Sequence, residues 1–164
     1  MLRDQPQLRR LILLGTPVLT GTLLLFHPLP EEADMSAAAL PRGLVLYELL
    51  APIARPFLAV HLLFPAALAL LALSAFLLLD GVHSAAASIS RLSAFVFAVS
   101  YIIYETIIGT VSGLLVHGAA GLSRDEQAVI GDAIYRNFTD PVVGDLPSVV
   151  SVIAWLAWIT AVTL

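Results

Sequence analysis

Long apolar runs separated by short polar breaks set the pattern of this chain. Residues 11–27, 56–79, 92–117 and 148–164 are nearly free of charge, and a helix that crosses a bilayer needs about 20 apolar residues at ~1.5 Å rise each. The pattern predicts an all-α transmembrane helical bundle of four visible spans, with one or two amphipathic helices at the interface. Within the third run, Glu105 is the single Asp, Glu, Lys or Arg between Arg91 and Arg124. That position predicts a carboxyl near the middle of the hydrocarbon, where a charge facing lipid costs roughly 2.5 kcal/mol or more. Such a group belongs against protein or water.

The breaks carry their own signals. His27-Pro28-Leu29-Pro30 ends the first span, and Glu31, Glu32 and Asp34 mark its exit. A signal peptide cut near Ala37–Ala39 is the competing reading of the start, but the apolar run is long for one and the small residues come late. Residues 43–51, between Pro41 and Pro52, predict a short interfacial helix. Pro65 lies four residues after His61, so the second span should kink and free a carbonyl near His61. Asp80 to Arg91 is short enough to make spans two and three antiparallel neighbours.

Ser123-Arg124-Asp125-Glu126 reads as a capping box opening an amphipathic helix over 124–138. Ile130, Ala133, Ile134 and Phe138 share its apolar face, with Arg124, Asp132, Tyr135 and Arg136 opposite and Asp132 in i,i+4 reach of Arg136. The fourth run offers 17 residues, about 25 Å of helix, with no polar flank, so the chain is expected to continue past Leu164.

Composition narrows the class further. Hydrophobic residues make up 59% of the 164 and charged ones 12%, about half the charged share of a typical soluble domain. Mean hydropathy is +0.94. A single membrane domain over residues 1–164, with the lipid bilayer as its solvent, is the expected unit. No cysteine and no lysine is present, which removes thiolate, iron–sulfur and Schiff-base chemistry. A net charge of -4 with scattered arginines gives no footprint for nucleic acid. Arg3, Arg9, Arg10 and Arg91 crowd two short segments on one side, while Arg42, Arg55, Arg124 and Arg136 spread over two long loops. The denser side is expected to be cytoplasmic, which puts the N-terminus on the cytoplasmic face of the cell membrane.

Phe26-His27-Pro28 at the end of the first span, a histidine at the head of the second, and GLLVHGAAGLSRDEQAVIGDAIYRNFTDPVVG after the third resemble a family of small bacterial multi-pass membrane proteins with no assigned function. The resemblance covers most of the chain and is strongest over 113–144. It implies an architecture of about six spans and brings no ligand or catalytic residue.

Three constellations could carry chemistry. At 100° per residue, Tyr101 and Ser112 share the Glu105 face, and Gly109 and Gly113 form a small-xxx-small step where another helix, or a second copy, could dock. A carboxyl there could carry a proton or bind a cation, or could act as hydrogen-bond glue between helices. His27, His61 and His117 are expected near the outer face, where they could hold a metal with Glu31, Glu32 or Glu48. No HExxH, GxSxG or calcium-loop spacing is present, and no cofactor is expected. The acids of the 123–145 loop read as a solvated face. The leading expectation is a non-enzymatic protein, engaged in small-solute or proton transport or in scaffolding around Glu105. A membrane-embedded metal-dependent hydrolase using the outer histidines is the alternative.

Overall fold

The computed structural model describes residues 5–27 and 41–163, and among these every regular element is helical. They are α1 (Pro6–Leu25), α2 (Arg42–Leu50), α3 (Ala54–Leu78), α4 (Ala85–Tyr104), α5 (Ser112–Gly118), α6 (Arg124–Thr139) and α7 (Leu146–Val162). Arg3, Glu31, Glu32 and Leu164, which enter the expectations above, lie outside the described residues. Among the described residues, four stretches are long and apolar enough to cross a membrane: Pro6–Leu25, Arg42–Leu78, Ala85–Gly118 and Pro141–Val162.

These helices overrun the apolar runs for local reasons. A 3-10 turn, Ala51–Ile53, joins α2 to α3, and Pro52 sits in its first positions, where a missing N–H costs nothing. The continuous 37 residues would measure about 56 Å if straight, more than one crossing of about 30 Å of hydrocarbon needs. The third span starts at Ala85 instead of Leu92 because the Ser84 hydroxyl accepts from the Ala87 N–H at 3.0 Å. Two π-helical segments, Glu105–Val111 and Pro141–Asp145, extend α4 into α5 and open α7. Asp140 starts the latter, accepting from the N–H groups of Val142 and Val143 at 2.8 and 2.9 Å.

The chain divides into two compact units. The first comprises Met1–Leu25, Leu63–Ile103 and Pro147–Leu164. Its buried positions are mostly small: Thr16, Ala67, Ala75, Ala87, Ser90, Ala94, Ala98, Ser151 and Ala154. Large apolar side chains such as Leu14, Val18, Leu63, Leu92, Phe95 and Ile153 are exposed. This distribution reverses that of a water-soluble core and suits helices that approach through small residues and turn large ones to lipid. At one end, Arg9 Nη2 donates to the Leu77 carbonyl at 2.8 Å and Nη1 lies 3.6 Å from Asp80. Arg91 donates to the Leu79 and Val82 carbonyls. Both arginines add a side-chain donor to carbonyls at and just beyond the end of α3, and Gly81 turns the chain there with φ +85°.

The second unit comprises Phe26–Leu62 and Tyr104–Leu146. Tyr47, Leu50, Ala54, Phe57, Val116, Ala119 and Ile134 form its apolar core. The capping box is present: Ser123 Oγ accepts from the Glu126 N–H, and Glu126 Oε2 accepts from the Ser123 N–H at 2.9 Å. The face α6 buries differs from expectation. Gly131 and Ile134 are buried, whereas Ala133 and Phe138 are exposed. Gly131 lies so close to the Gly43 carbonyl that a Cβ on it would overlap the oxygen, and that crossing rotates α6 toward α2. Two residues assigned to the polar face are drawn in as well. Arg124 pairs with Glu48 at 2.7 Å, and Tyr135 accepts from Arg42 at 3.3 Å. Asp132 lies against Gly43 and forms no ion pair with Arg136.

Candidate functional site

In the second unit, α3 and the third span run past each other in a register read from two glycines. Gly113 faces Leu58, whose Cβ would lie 3.1 Å from an added methyl group, and Gly109 faces the ring of His61. The expected small-xxx-small step is therefore filled within the chain by α3, and a second copy would have to use another face. The wider i→i+5 turn of the π segment puts Glu105, Ile108 and Gly109 on its buried side. Glu105 is 4% exposed and His61 3%.

His61 is held from two directions. Its Nδ1 lies 2.6 Å from the Phe57 carbonyl oxygen. A carbonyl only accepts, so Nδ1 carries the hydrogen and Nε2 presents its lone pair whenever the ring is neutral. The Phe57 ring packs on the imidazole with centroids 4.0 Å apart. The His61 carbonyl, which Pro65 has no N–H to reach, accepts from Thr110 Oγ1 at 3.2 Å. The freed carbonyl foreseen at Pro65 is thus present and has a donor.

Into the space before His61 Nε2 come two further groups. Glu105 Oε2 lies 3.3 Å away. His27, two residues beyond α1 and partly buried, brings its Nε2 to 3.2 Å. One ligand atom from each of the three residues falls within 4.8 Å of the others. With its lone pair forward, His61 Nε2 can accept from the Nε2–H of a neutral His27, and the three residues together offer ligand atoms to a metal ion.

His117 does not join the cluster. The register that pairs His61 with Gly109 carries His117 two turns further on, to an exposed cavity of about 390 Å³ shared with Tyr47, Arg55 and Pro56. Glu105 takes the place foreseen for that imidazole, and Glu48 is engaged with Arg124. Ser112 is fully buried, and its hydroxyl makes no hydrogen bond among the described residues. Tyr101 belongs to the first unit, where it stacks on Phe97 at 5.6 Å and lines an apolar cavity of about 370 Å³ with Thr20, Phe64 and Trp155. Sequence reasoning missed Phe57 and Thr110. Phe57 could have been found from its place four residues before His61, while nothing in the sequence marks Thr110.

Outside the spans, Glu126 has its carboxyl pKa lowered by the hydrogen bonds it accepts from the Ser123 hydroxyl and N–H.

Fold and cluster together define a class: a helical membrane protein with a His–His–Glu cluster, two of whose members are buried. No protein-family model, curated protein or solved structure matches this chain.

Proposed function

We propose that the chain is a multi-pass protein of the cell membrane, with its N-terminus in the cytoplasm, that takes cations into the His27–His61–Glu105 cluster and passes them across. The observation that carries this is a carboxyl and an imidazole, both almost fully buried and 3.3 Å apart, inside helices otherwise apolar. Ionisable groups at such depth are expensive to keep and mark ion pathways more often than packing. His27, partly buried at the end of its span, gives the cluster an approach from water. Arg9 and Arg91, brought to one end of the first unit, support the cytoplasmic assignment of that end.

Flux tests the role. In proteoliposomes, Glu105→Gln should abolish cation-dependent flux, followed with entrapped pH and metal dyes, while circular dichroism and elution volume match the parent. Unchanged flux would make Glu105 a hydrogen-bonding strut and end the proposal. Orientation is tested separately in a chain that has no cysteine of its own. A membrane-impermeant maleimide added to intact cells should label Gly121→Cys and spare His83→Cys.

A further inference from the structure

We infer that the cation is a divalent transition metal of the zinc type, coordinated by His27 Nε2, His61 Nε2 and Glu105 Oε2. This rests on the cation-site reading above and narrows it to one chemical class.

Spacing is the first argument. Bonds of about 2.0–2.2 Å to imidazole nitrogen and carboxylate oxygen, set at tetrahedral angles, place ligand atoms about 3.3–3.5 Å apart. Two of the pairs stand at 3.2 and 3.3 Å, and one ligand atom from each of the three residues falls within 4.8 Å of the others.

Ring orientation is the second. A metal-binding imidazole generally donates its other N–H to a carbonyl or carboxylate, which fixes the tautomer and aims the lone pair. His61 does this with Phe57 at 2.6 Å. Gly109 lacks the side chain that would occupy the ring's position, so the ring is confined between Phe57 and the third span.

Donor chemistry selects the ion. Two imidazoles and one carboxylate suit zinc, copper, nickel or iron, whereas magnesium and calcium want six or more oxygens. With no cysteine in the chain, a thiolate-preferring ion such as Cu(I) finds no soft ligand here. With both imidazoles neutral, a divalent ion and one carboxylate give the cluster a net charge of about +1. Three protein ligands leave a fourth position open to water, which is also the position an ion needs for exchange.

The test uses the full chain in detergent, with Zn²⁺ and Co²⁺ as probes. Equilibrium dialysis and elemental analysis should find about one Zn²⁺ per chain, and Co²⁺ should give the visible absorption of a four-coordinate site. Glu105→Gln, which keeps the side-chain shape, and His61→Ala should each weaken binding by about 100-fold or more, beyond the loss caused by removing an outer-shell partner. His117→Ala should bind as the parent does, and millimolar Mg²⁺ should not compete. A parent chain without stoichiometric Zn²⁺ overturns the inference, as does a Glu105→Gln variant that binds with parent affinity. Cation flux that depends on Glu105 in a chain that binds no Zn²⁺ would sink the metal and spare the transport reading. Zn²⁺ bound at Glu105 with flux unchanged in Glu105→Gln would do the reverse.

Discussion

Gly109 is seated directly under the imidazole of His61, so close that a methyl group on its Cα would overlap Cγ and Cδ2 of the ring. A glycine that looks from sequence like a helix-docking step thus serves as the bed of a histidine. Gly109→Ala should push the ring off Glu105 and cost about 1–3 kcal/mol as an overpacked site. Thermal unfolding in detergent reads the cost. Zn²⁺ affinity should fall with it, and an alanine variant that keeps both would show that the ring has room to move.

Thr110 stands in for the N–H that Pro65 lacks. Thr110→Val should remove the donor to the His61 carbonyl at a cost of about 0.5–1.5 kcal/mol, within the range found for hydrogen bonds between membrane helices. In a Pro65→Ala background residue 65 can supply its own N–H, and the same Thr110→Val change should cost close to nothing. Additive costs in this double-mutant cycle would break the link between the two residues.

The α2–α6 crossing predicts opposite outcomes at two glycines. Gly131→Ala places a Cβ on the Gly43 carbonyl and should destabilise the second unit by about 1–3 kcal/mol. Gly15→Ala meets open space on α1 and should be neutral or stabilising, by up to about 1 kcal/mol of helix propensity. Denaturation midpoints of the two variants should therefore move apart.

Acid should loosen the start of α6. Glu126 has a lowered carboxyl pKa because its charged form accepts from Ser123. Its stabilising contribution is complete above the unfolded glutamate value of about 4.3 and is lost as pH falls through the lower folded value. Protection factors at the N–H groups of residues 124–127, which are exchange rates corrected for their intrinsic pH dependence, should fall over that acid range in the parent. In Glu126→Gln that fall should be smaller, because glutamine does not titrate.

Much of the molecule was legible one residue at a time. Uncharged runs long enough to cross a bilayer demand helices wherever they pack, because no other partner for their backbone groups exists in hydrocarbon. The Ser123–Glu126 cap is local and needs only four residues. The carbonyl freed at Pro65 follows from the missing proline N–H. Boundaries were harder. Arg91 read as the edge of a span, yet its side chain folds back onto the carbonyls of Leu79 and Val82, so the helix begins before it.

Alone, the sequence determined that this protein is a helical bundle in a membrane and that Glu105 lies within it, because both follow from the transfer energy of side chains along a continuous run. Only the tertiary structure decided what Glu105 meets. A uniform 100° per residue cannot anticipate the π segment that begins at Glu105 and breaks the helical phase. Nor does any periodicity encode the register of one helix against another, set here by Gly109 on His61 and Gly113 on Leu58. That register puts His117 two turns away and assembles His27, His61 and Glu105, residues far apart in the chain, around one point.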